Sequence, residues 1–111
     1  MKAGTGHFVA QRVTAIAVIL LGPWFAVAIS SLDSLEHVIV MAFLAKPLNG
    51  ILMALLCATL AYHSYLGVQV VIDDYVHAAG LNKASLFISR IAHLVLALVA
   101  VYAILGIGSG T

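Results

Sequence analysis

His63, Asp74 and Tyr75 are the residues whose types and spacing could do chemistry in this chain. They lie in HSYLGVQVVIDDY, an apolar run with an imidazole at its start and an acid pair plus a phenol at its exit. At about 100° per residue, the step from His63 to Asp74 returns to within about 20° of the same helix face, roughly 16 Å further along the axis. A histidine among lipid-facing neighbours is costly, which makes it a site candidate. A neutral imidazole can ligate haem iron, and Gly67, one turn on, leaves room for a flat macrocycle close to the backbone. The plainer reading of His63 is a histidine bonded to a serine or carbonyl of a neighbouring helix.

The acid pair has two readings of its own. Asp73 and Asp74 end a helix, where the macrodipole disfavours a carboxylate by about 0.3–1 kcal/mol each. One aspartate could simply cap the following turn, and Asp73, which points off the His63 face, suits that role. Asp74 could instead handle protons beside Tyr75, whose phenol can donate to a carbonyl oxygen near the membrane surface. Arg12, with His7 and Gln11 before it and Thr14 after it, could hold two oxygens of a carboxylate or a quinone carbonyl. Its plainer reading is a boundary cation reaching for the headgroups.

Composition says what must position these groups. The chain has 111 residues, 64% of them hydrophobic and 8% charged, with a mean hydropathy of +1.17. That leaves too little polar surface for a water-exposed domain, so an integral membrane protein is expected. A net charge of +1 without a basic cluster gives no reason to expect a nucleic-acid partner. A single cysteine, Cys57, excludes an intrachain disulfide and reads as a small buried hydrophobe.

Three spans are expected, at about 13–30, 48–72 and 86–107, each matching the ~20 residues that a ~30 Å hydrocarbon layer requires. No group ionised at neutral pH is expected well inside them. The fold class is therefore all-α, one membrane-anchor domain over residues 1–111 with three transmembrane helices. Gly22-Pro23 should bend the first span, and Trp24 and Phe25, too deep for boundary anchors, should pack against another helix. The segment from Ser31 to Pro47 is too short to cross and reads as a helix in the headgroup region or an outward extension of the second span. Gly80 and Asn82 should form a turn, with Ser85 capping the third span.

Basic residues set the orientation. Lys2 and Arg12 flank the start of the first span, Lys83 and Arg90 the connection between the second and third, and only Lys46 lies opposite. The N-terminus should then be cytoplasmic and the C-terminus periplasmic. Arg12, Asp74 and Tyr75 thereby share one membrane surface. No cleavage pattern for secretion and no transit peptide is evident, which suggests a bacterial cell inner membrane. His93, the remaining histidine inside a span, lies nearer its helix end than His63, so a two-histidine site within this chain is not favoured.

These residues resemble the smaller cytochrome b membrane-anchor subunit of succinate dehydrogenase, the respiratory complex II. The resemblance is carried by His7 and Arg12 in GHFVAQRVTAIAV and by His63, Gly67, Gln69, Asp74 and Tyr75 in HSYLGVQVVIDDYV, and it spans nearly the whole chain. It implies that His63 is one axial ligand of a haem b shared with the larger anchor subunit. It implies that Tyr75 hydrogen-bonds a ubiquinone carbonyl with Asp74 beside it, and that Arg12 and His7 lie near the haem propionates. The implied partners are the larger cytochrome b anchor, the iron-sulfur subunit, the flavoprotein subunit and membrane lipid, within a heteromeric helix bundle. Succinate itself would not touch this subunit. A fumarate reductase anchor is the close alternative. A small multidrug transporter would need four spans and a carboxylate buried in one of them, and a haem-free structural subunit would use His63 for packing alone.

Overall fold

A computed structural model describes residues 3–110, and among them every regular element is helical. Helix α1 covers Ala3–Ser30, α2 His37–Ala45, α3 Pro47–Tyr75 and α4 Ala79–Gly108. Three of them, α1, α3 and α4, are long and apolar enough to cross a membrane. At 1.5 Å per residue the 29 residues of α3 extend about 43 Å, enough for the hydrocarbon layer and both interfaces. The chain is an all-α multi-pass membrane protein.

The helices begin and end for local reasons. Proline fits the first turn of a helix and biases the residue before it towards extended backbone. Lys46 accordingly has φ −68° and ψ 127°, ending α2 while Pro47 opens α3. The Asn49 amide donates to the Phe43 carbonyl at 3.1 Å and ties the two helices at this corner. At only nine residues, α2 is too short to cross, as the sequence suggests. The end of α1 is closed by the Ser31 hydroxyl, which donates to the Val27 carbonyl at 2.7 Å.

The helices run longer than the apolar stretches within them. α1 starts ten residues before Val13, so Arg12 lies roughly 14 Å along it, and Arg90 lies roughly 16 Å along α4. Both nonetheless stand at the entry of the apolar stretches, Arg12 just before Val13 and Arg90 one turn past Leu86. The turn is also displaced. Gly80, Asn82 and Ser85 all lie inside α4, and the connection shrinks to residues 76–78. Ser85 therefore caps nothing. Asn82 closes the corner from within the helix, its amide donating to the Val76 carbonyl at 3.0 Å and to Asp73 Oδ1 at 3.2 Å. Pro23 stands inside an uninterrupted α1, and Trp24 stacks on Phe43 of α2 with ring centroids 6.2 Å apart.

α3 is the central rod. It packs against α1, α2 and α4, while the backbones of α1 and α4 do not come close to each other among the described residues. The α3–α4 seam uses small residues, which let helix backbones approach in a membrane. Gly50, Ala58 and Ala61 of α3 face Ile104 and Ala97 of α4 along it, with the Ile104 side chain close to Gly50. The outward faces are apolar and open: Val13, Ile16, Leu20 and Val27 of α1 are all more than half exposed within the chain. Only 6% of the most apolar windows of α1 and α4 is buried by the chain itself.

Candidate functional site

The site starts from the antiparallel pairing of α1 with α3. The beginning of α1 lies beside the end of α3, so Gly4 and His7 line an open groove of about 360 Å³ with Gln69, Val70, Asp73 and Asp74. One to two turns deeper, Phe8, Gln11, Arg12, Ala15 and His63 line a second groove of about 350 Å³. The chain thus offers a carboxylate-bearing groove near the helix ends and an imidazole–guanidinium groove at depth.

His63, His7 and Arg12 in these grooves each have a physical anchor. His63 is half-buried, and its Nδ1 lies 2.8 Å from Thr14 Oγ1, which is 8% exposed. Thr14 Oγ1 also donates back to the Ala10 carbonyl at 2.8 Å, with the Gln11 carbonyl at 3.1 Å. This back-bonding is how a hydroxyl is satisfied inside an apolar helix. The His7 Nε2 donates to the Leu66 carbonyl at 3.2 Å and pins the start of α1 to α3. Arg12 rests over the Phe8 ring, its guanidinium carbon 4.9 Å from the centroid, a favourable cation–π geometry.

Sequence-expected residues separate into three places. His63 and Arg12 share the deep groove, whereas His7 and Asp74 share the shallow one. Tyr75, 79% exposed, stands at the last turn of α3, open to whatever covers that end. Asp73 is held by Asn82, in keeping with a corner-forming role. His93 turns away from His63: its Nε2 meets Ser64 Oγ at 3.1 Å, its Nδ1 meets the Ser89 carbonyl at 2.8 Å, and Tyr65 lies edge-on to its ring at 5.9 Å. The two intramembrane histidines thus engage different helices.

The deep groove sets one imidazole and one guanidinium in an otherwise largely apolar lining. A ligating imidazole needs one ring nitrogen oriented by a partner and the other directed to the metal. Here Thr14 takes Nδ1. At Gly67, about 40° round α3 from His63, a side-chain carbon would meet no atom within 4 Å, so the backbone there is open to a flat ligand. No group of three His, Cys, Asp or Glu able to enclose a metal ion exists among the described residues. Among them, His63 is the one imidazole that lines this groove.

Residues 1–106 match the model of the succinate dehydrogenase/fumarate reductase transmembrane subunit family. The chain belongs to this family. Among its relatives within the family is the succinate dehydrogenase hydrophobic membrane anchor subunit of Paracoccus denitrificans, 30% identical over 96% of this chain and 82% of that protein. The same-named subunit of Rickettsia bellii is 35% identical over 68% of this chain, and the match spans only 60% of the length of that relative. That of Rickettsia prowazekii is 29% identical over 81% of this chain and 72% of that protein. Family membership agrees with three spanning helices whose apolar outer faces the chain leaves uncovered.

Sequence reasoning did not single out Thr14 as the partner of His63, nor Ser64 and Ser89 as partners of His93. A polar residue within an apolar span was the available signal for all three. Nothing in the linear pattern pairs Thr14 with a residue 49 positions away.

Proposed function

We propose that this chain is the hydrophobic anchor of a succinate:ubiquinone oxidoreductase, contributing one haem ligand and part of the quinone-reduction site. The carrying observation is the meeting of His63 and Arg12 in one groove inside a chain of this family. In this reading His63 would hold the haem iron through Nε2, and the larger cytochrome b anchor would supply the other ligand. Arg12, with His7 nearer the membrane surface, faces the propionates, where a guanidinium can bind two carboxylate oxygens at once. A bound haem b supplies a one-electron store beside the quinone.

At the outer end of α3, Tyr75 donates its phenolic hydrogen to a carbonyl oxygen of ubiquinone, and Asp74 relays protons to the reduced oxygens. Two electrons from the iron-sulfur subunit and two protons convert quinone to quinol. The flavoprotein subunit performs succinate oxidation, so this chain does not bind succinate. The apolar faces of α1 and α4 support helices of a partner, or lipid, as their cover. The N-terminus is assigned to the cytoplasm and the C-terminus to the periplasm of a bacterial inner membrane, from the Lys/Arg bias.

Purification in mild detergent tests the reading. The chain is expected to travel with a second membrane subunit, an iron-sulfur protein, a flavoprotein and a b-type chromophore visible in the reduced-minus-oxidised spectrum. Purification without that chromophore removes the haem role of His63, and purification without the two peripheral subunits removes the anchor role.

A further inference from the structure

We propose that Thr14 is a positioning residue that fixes the tautomer of His63 and tunes the electron donation of its Nε2. This rests on the reading of His63 as a haem ligand and adds the group that makes it one. The argument begins with a count of hydrogens. A threonine hydroxyl has one hydrogen and two lone pairs. At Thr14 the 2.8 Å contact with the Ala10 carbonyl uses that hydrogen, because a carbonyl can only accept. The equally short contact with His63 Nδ1 is therefore made by a lone pair of the hydroxyl, and Nδ1 carries the hydrogen. The neutral imidazole has one donor and one acceptor nitrogen, so Nε2 is left with its lone pair free.

Three features make this arrangement firm. Thr14 is 8% exposed, so water does not compete for its oxygen. Its side chain is held by its own helix through the Ala10 and Gln11 carbonyls. The bond crosses from α1 to α3, so packing of these two helices sets the plane of the imidazole. An Nδ1–H donating to an oxygen raises the basicity of the opposite nitrogen and favours the oxidised metal. Loss of the acceptor weakens that donation.

The test uses the assembled complex in mild detergent, comparing wild type with Thr14→Val, Thr14→Ser and His63→Ala. Haem content, the electron paramagnetic resonance spectrum of the oxidised haem and the midpoint potential are measured. Thr14→Val, nearly equal in volume but without the oxygen, is expected to raise the midpoint potential and alter the low-spin g values. Thr14→Ser is expected to restore both towards wild type. If Thr14→Val instead sheds haem, restoration of haem by Thr14→Ser supports the same role, and failure of Thr14→Ser to restore it overturns the role. A potential and spectrum unchanged in Thr14→Val also overturn the role of Thr14, while His63 stands as ligand provided that His63→Ala abolishes the native low-spin signal. Should His63→Ala leave that signal intact, the ligand reading fails and the proposal for Thr14 fails with it.

Discussion

Thr14 and His63, 49 positions apart in the sequence, meet at 2.8 Å across the α1–α3 interface. This bond couples the packing of two membrane helices to the orientation of one imidazole. Arg12, two residues before Thr14, reaches the same groove as His63, so a single stretch of α1 supplies both a hydrogen-bond acceptor and a positive charge beside that ring.

The charge should act opposite in sign to the hydrogen bond. A cation near ferric haem disfavours the more positive oxidised state, and the effect is strong where water is excluded. Arg12→Gln is therefore expected to lower the haem midpoint potential, measured by redox titration of the purified complex. An unchanged potential would remove Arg12 from the neighbourhood of the haem.

Tyr75 is 79% exposed at the last turn of α3, where the proposed function puts the quinone. Tyr75→Phe removes one donor and should slow ubiquinone reduction by about 10-fold or more, the worth of one well-placed hydrogen bond. Succinate oxidation with an artificial soluble acceptor should stay at the wild-type rate. Equal loss of both activities would count against the phenol as a quinone contact.

Asn82 holds the α3–α4 corner through Val76 and Asp73, next to Asp74 and Tyr75. Asn82→Ala removes this donor from the part-exposed Val76 carbonyl, at a cost of roughly 0.5–1.5 kcal/mol. The expected result is a lower thermal midpoint and a raised KM for quinone, with the visible haem spectrum unchanged because the deep groove is distant from the corner. A quinone KM equal to wild type would show that the corner does not position the site.

Two glycines on α3 should respond in opposite ways. A Cβ at Gly50 would stand 3.0 Å from the Leu44 carbonyl oxygen, where backbone must shift to admit it, whereas one at Gly67 meets nothing within 4 Å. Gly50→Val is expected to cost about 1–3 kcal/mol by overpacking, read as a lower melting temperature. Gly67→Ala should leave melting unchanged or slightly raised, since alanine favours helix by up to about 1 kcal/mol. Gly67→Leu, which fills the open side of α3, should reduce haem content at normal levels of the assembled complex. Retention of full haem by Gly67→Leu would argue against a macrocycle lying there.

Much of the fold was legible in composition and pattern. An apolar run must satisfy its backbone internally within a membrane, so three long apolar stretches dictate three helices. The same rule explains where the reading fell short. Hydropathy marks where side chains prefer lipid, whereas helices continue through the interface for as long as backbone bonding permits. α1 therefore begins before Arg12, and α4 begins at Ala79, with Gly80 and Asn82 inside its first turns. The second span, expected from about 48, agrees with α3, which Pro47 opens because its ring constrains the backbone whatever the neighbours do.

The sequence by itself determined the membrane class, the three-helix order and the alignment of His63 with Asp74, because each depends on covalent order and helical period alone. Tertiary structure decided which groups share a space. It brought Arg12 and Thr14 to His63, set His7 beside Asp74, and turned His93 towards Ser64 of α3. Those pairings depend on the register and rotation of one helix against another. Many side chains distributed along each interface fix that register together, and no local pattern of residues encodes it.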